Sequence, residues 1–257
     1  MLTSNPFAAL SASISPAAMQ TYVVIMIVLV AAGTLFDILH KGSARYFFDN
    51  WRKSKSRRGA KPVGAGELAS IAIQTAVVDV LASGEFCNAR RRIAHLLTMY
   101  GFVLYVVSTI VMVFDPSAAS LWPLLWWLGG LMVCFGGYWF WVFIRAVVAA
   151  EGNSPFRVMR ADLFVLSLLA SVTLGLLWAF LQAQGSAAAG VFFGLYLLAT
   201  TVLFGSVPWS KFAHMFFKPA AAFEKRVSYA NETRSNLPAP ADQPEQFGSA
   251  RELPRHY

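Results

Sequence analysis

His95 and His214 are the two side chains best placed for chemistry. Each stands where an apolar run meets basic residues, in the strings CNARRRIAHLL and VPWSKFAHMFFKP. Two neutral imidazoles on facing helices offer ring nitrogens to iron, which is what a low-spin b-type haem needs as axial ligands. Arg91, Arg92, Lys211 and Lys218 flank them and are candidate cations for haem propionates. The same pattern also fits two interfacial histidines meeting lipid headgroups, with the long basic side chains snorkelling outward. His40 follows Asp37 at helical spacing and reads as an interfacial residue paired with that acid. His256 falls in a polar tail and reads as solvated.

Other chemistries are excluded by what the chain lacks. Cys87 and Cys134 are its two cysteines, too few for a four-thiolate iron–sulfur cluster, and there is no CxxCH for covalent haem. No HExxH, carboxylate cluster or nucleophile elbow occurs. The string GAGELA matches a GxGxxG/A pattern, but no strand precedes it, so a nucleotide-binding loop is dismissed.

The elements that must position the histidines are membrane helices. Hydrophobic residues make up 57% and charged residues 13% of the chain, and mean hydropathy is +0.54. Soluble domains carry about 45–50% apolar and about 25% charged residues. Five apolar runs, at residues 21–39, 93–114, 122–144, 163–181 and 190–208, meet the requirement of about 17–25 residues for a span. Backbone polar groups must be satisfied within each span, so the expected fold is an all-α integral membrane protein, a five-helix transmembrane bundle. Residues 68–80 are less apolar and contain Gln74 and Asp79. They read as a helix lying on the membrane surface or against a partner, or as an ordinary loop helix.

Basic residues give the orientation. All 21 Lys and Arg fall in three segments, with eleven in 41–92, three in 145–160 and seven in 211–257. The positive-inside rule then puts the N-terminus outside and the C-terminus in the cytoplasm. The expected organisation is an external N-terminal segment at 1–20, a five-span membrane domain at 21–219 with a basic cytoplasmic loop at 40–92, and a cytoplasmic tail at 220–257. That tail, rich in Pro, Ser, Gln and charge, is expected to be largely disordered from 231. The N-terminal stretch has no basic n-region, so the first span is expected to be retained. The net charge of +8 reflects this topology and contact with anionic headgroups rather than nucleic-acid binding.

Some residues read as structural. Asp115 with Pro116 makes a short outer turn. Asp162, near Arg160, is an N-terminal helix charge or a quinone-site proton group. Trp122, Trp126, Trp127, Trp139 and Trp141 suit interfacial belts and helix packing. Gly129, Gly130, Gly136 and Gly137 let a neighbouring helix approach closely.

Residues 78–114, residues 160–178 (RADLFVLSLLASVTLGLLW) and VPWSKFAHMFFKP at 207–219 together resemble the nitrate reductase gamma-subunit-like cytochromes b. These include membrane subunits of quinone-interacting oxidoreductase and heterodisulfide reductase complexes. The resemblance covers about residues 70–220 and is carried most specifically by the arginine-flanked His95 and the P-x-S-K-F-x-H string ending at His214. Membrane anchors associated with dissimilatory adenylylsulfate reductase are one candidate branch. The resemblance implies a five-span anchor with haem iron held by His95 and His214. Two-haem members hold a second histidine pair nearer the outside, and here those positions are Tyr105 and Tyr196. It therefore implies one haem b, on the cytoplasmic side, and no outer haem.

The expectation is a multi-pass subunit of the inner (cytoplasmic) membrane, part of a respiratory electron-transfer complex. It would anchor cytoplasmic iron–sulfur/flavin oxidoreductase subunits and exchange electrons with a membrane quinone. The alternative is a cofactor-free structural anchor for such a partner. A transporter is disfavoured, as the spans show no evident ion-binding acids or inverted repeats.

Overall fold

The computed structural model describes residues 2–41, 45, 47–49, 51, 52, 61–84, 86, 88–144, 158, 162–209 and 214–233. Among them every regular element is a helix. Lys211, Cys87, His256 and the tail beyond 233 lie outside the described residues. The chain divides into two compact units, Met1–Asp37 with Ile93–Ala213, and Ile38–Arg92 with His214–Tyr257.

The first unit is assembled from apolar helices. Asn5 caps a short helix α1 (Pro6–Leu10), its Oδ1 accepting from the backbone N–H groups of Phe7 and Ala8 at 3.0 and 3.3 Å. Pro6 occupies the first turn, where a missing N–H costs nothing. Helix α2 (Pro16–Lys41) has 26 residues, so it is roughly 39 Å long at 1.5 Å per residue, more than the hydrocarbon thickness of about 30 Å. After the second unit's residues come α4 (Ala89–Phe114), α5 (Leu121–Trp139, continued by a π-helical turn Phe140–Ile144), α6 (Leu163–Ala183) and α7 (Ala189–Gly205). Four helices are long and apolar enough to cross a membrane, Pro16–His40, Ala89–Phe114, Leu121–Ile144 and Leu163–Ala183, and Ala189–Gly205 is a shorter apolar helix. The protein is therefore an all-α, multi-pass membrane protein.

The turns carry their own chemistry. Asp115 Oδ1 accepts from the Ser117 N–H at 2.9 Å and the Ser117 hydroxyl at 2.6 Å, which fixes the bend between α4 and α5. Gly185, at φ +67°, ends α6 in the left-handed conformation that glycine adopts freely, and Ser186 N–H closes back on Leu181 O at 3.0 Å.

Because lipid tails are as apolar as leucine, packing rather than water expulsion must hold the spans together. Helix α5 presents two glycine faces for it. Gly129 and Gly136 lie against α4, where an added Cβ would sit 2.7 Å from Tyr105 N and Ala94 O respectively. At Gly130 and Gly137 an added Cβ would lie 2.8 and 2.6 Å from Leu176 and Leu169 of α6.

The second unit holds α3 (Ala65–Gln74), which continues as a π-helical segment Thr75–Leu81, and α8 (His214–Ala230). Glu67 lies in the first turn of α3, favourably placed for the helix dipole. The stretch expected over 68–80 is thus helical throughout, and it packs against α8.

Candidate functional site

Helix α4 begins in the second unit and carries His95 on its second turn. Asn88 starts the helix by accepting from the N–H groups of Arg90 and Arg91 at 2.9 and 3.3 Å. Arg92 Nε donates to Ala82 O at 2.8 Å, tying the basic turn to the segment that follows the π helix. Arg91 and Arg92 are half-buried, and Arg90 is exposed.

His95 is half-buried, beside the fully buried Ala94. Thr98 back-bonds to Ala94 O at 2.9 Å, and Gly136 closes over both residues from α5. The imidazole thus rides on a helix whose neighbouring face is locked against backbone, a rigid mounting for a ligand. His95 belongs to the first unit and His214 to the second, where His214 is the first residue of α8. Lys218, one turn further, is exposed, with Nζ 5.7 Å from the Phe86 ring centroid. His40 is exposed on α2, whereas Asp37 is buried at 2% exposure. Asp37 lies one turn beyond Gly33, where an added Cβ would lie 3.1 and 3.2 Å from Val207 and Pro208.

The two tyrosines at the outer positions are packed solid. Tyr105 and Tyr196 are 4% and 5% exposed, and they converge on Gly175, where an added Cβ would collide with the Tyr105 hydroxyl and lie 3.1 Å from Tyr196 Cε2. Tyr105 stacks on Trp126 at 4.9 Å between centroids, and Tyr196 lies parallel to Trp178 at 5.8 Å. Trp126 Nε1 donates to Thr109 Oγ1 at 2.9 Å, and Ser171 and Thr200 share a hydrogen bond at 2.7 Å. Phe7 of α1 then seals the cluster against Trp126 and Trp178, with Gln182 Nε2 donating to Pro6 O at 2.6 Å.

Among the described residues no group of three or more His, Cys, Asp or Glu could hold a metal ion. A haem held axially by two histidines does not need such a group. Near His95 the same helix carries Arg91 and Arg92, an imidazole donor with two cations close by in sequence. No protein-family model, no curated protein and no solved structure matches this chain.

Proposed function

We propose that this chain is the membrane-anchor subunit of a respiratory electron-transfer complex of the inner membrane. It exchanges electrons between a cytoplasmic iron–sulfur or flavin oxidoreductase, similar to adenylylsulfate or heterodisulfide reductases, and the quinone pool, through one b haem on the cytoplasmic side. The observation that carries this reading is the half-buried imidazole of His95, held on a rigid helix one turn past a cluster of three arginines. His95 and His214 would supply the axial nitrogens, and Arg91, Arg92 and Lys211 the cations for the propionates. When bound, the haem supplies reversible one-electron transfer. The protein's contribution is ligation, a low-dielectric surround and docking of the partner.

The packed Tyr105 and Tyr196 cluster supports confining electron exchange to the cytoplasmic half of the bilayer. In this reading the fifth span is α7 together with the apolar run that continues to Pro208. The N-terminus is then outside and the C-terminus inside, since all 21 basic residues fall on one side of a five-span map. Impermeant labelling of intact cells is expected to reach a tag at residue 1 but not a tag after Tyr257. Both tags on one side would exclude the five-span map.

The partner is expected to dock on the basic loop and tail, which hold 18 of the 21 Lys and Arg. Neutralising Arg52, Lys53, Arg57 and Arg58 together should lower co-purification of the cytoplasmic subunits. The loss should deepen at high salt, where the remaining contacts are screened within about 3 Å at 1 M. Undiminished co-purification would move the docking surface elsewhere.

A further inference from the structure

Helix α3 and its π continuation turn Thr75 and Asp79 inward and leave a line of large apolar side chains outward. Ile71 and Thr75 are buried and Asp79 is half-buried on one face. Asp79 accepts from Arg226 of α8 through Nε at 2.6 Å and Nη2 at 2.9 Å. Two residues further along, on the opposite side, run Ile73, Val77 and Leu81, exposed at 66%, 51% and 51%. A step of four residues overshoots one α-turn of about 3.6 residues and falls short of a wider π-turn. The two drifts offset each other, and both lines stay straight from one helix type into the next.

Between Ala69 and Leu81 the one charged residue is Asp79, which faces Arg226. The outward face is therefore uncharged, its polar side chains being Ser70 and Gln74. A soluble surface helix has the reverse arrangement, so this face calls for a cover other than water.

We propose that Ile73, Val77 and Leu81 lie in the headgroup–acyl boundary of the bilayer, making α3 an interfacial helix. Continuity supports a lipid cover. Helix α4 runs unbroken from Ala89, in this unit, into an apolar run long enough to cross a membrane, and α2 runs unbroken out of another to end at Lys41. Two helices thus join this unit to apolar runs of spanning length. Charge supports it as well. Arg90, Lys218 and Lys225 of the same unit are exposed and complement anionic headgroups. Tyr229, 49% exposed and one turn beyond Lys225, is an amphipathic ring suited to headgroup depth. The proposal goes beyond the redox reading and needs no cofactor.

The test uses the full chain with Cys87→Ser and Cys134→Ala, carrying Ile73→Cys, Val77→Cys or the control Glu67→Cys. Each is labelled with a polarity-sensitive fluorophore and reconstituted in vesicles of phosphatidylcholine with phosphatidylglycerol. Labels at 73 and 77 are expected to emit at shorter wavelength than the label at 67. They should lose most emission to a nitroxide carried by lipid near headgroup depth and little to aqueous iodide, with the reverse at 67. Equal iodide access at all three positions would overturn the proposal. So would protection of 73 and 77 that appears only when cytoplasmic protein is added, which would make the cover a protein. As a second check, Ile73→Asp with Val77→Asp should shift a label at Leu81→Cys to longer wavelength, and an unchanged emission would overturn the interfacial placement.

Discussion

Replacing His95 or His214 with alanine is expected to abolish a b-type absorption band and quinone-linked electron transfer, while the subunit still inserts and holds its partner. A bis-histidine site fails when either donor is lost, because one imidazole leaves iron five-coordinate and the haem weakly held. The substitutions should not unfold the chain. His95 is half-buried on a helix fixed by Asn88, Thr98 and Gly136. His40→Ala is the control, since His40 is exposed on α2, and it should leave the band intact. Difference spectra of the three purified variants check this directly. A full band in His95→Ala would remove the ligand assignment.

The second large effect is mechanical and falls on the aromatic cluster. Trp178→Ala should lower stability by about 3–5 kcal/mol, the usual cost of deleting a fully buried large aromatic. Trp178 is fully buried against Phe7, Phe193 and Tyr196, and its Nε1 donates to Gln182 Oε1 at 3.0 Å. Gly175→Leu should be at least as damaging, because even a Cβ collides with the Tyr105 hydroxyl, which has no free space to enter. Unfolding in detergent measures both. Tyr105→Ala and Tyr196→Ala should also destabilise while retaining the haem band. If either tyrosine variant lost haem while remaining folded, the outer cluster would be part of a cofactor site rather than packing.

The helices were legible in the sequence where a rule depends on local residues alone. Apolar runs of spanning length, the glycines of α5 and the Asp115–Pro116 turn each express a constraint set within a few residues. What could not be read depended on distant partners. Asp79 looked like a lone acid in a marginal helix, because its Arg226 lies 147 residues away. The π-helical continuation that keeps Thr75 and Asp79 on the α8 side has no signature in the string TAVVDVL itself. The segment 1–20 read as a bare external extension, although Asn5 and Pro6 carry a helix-start signal. What the short α1 does becomes visible only when Phe7 meets Trp126 and Trp178.

The candidate site was legible in part for the same reason. His95 stood out through its three arginines, a local pattern, and it does sit half-buried near the start of a spanning helix. Arg92 was read as a candidate cation for a propionate, and nothing in the sequence signalled that its Nε also donates to Ala82 O, a contact set by the fold of the preceding loop. Asp37 was read with His40, three residues on along the same helix, and the two differ in burial, Asp37 being 2% exposed and His40 exposed. Asp37 lies one helical turn from Gly33, which packs closely on Val207 and Pro208.

A reduced-minus-oxidised spectrum of the full-length protein, purified with its cytoplasmic partner and paired with a pyridine haemochrome count, tests the redox claim most directly. One b haem per chain is predicted, reducible by the quinol. No haem in a preparation that still holds its partner on the membrane would contradict the redox role and leave a cofactor-free anchor in its place.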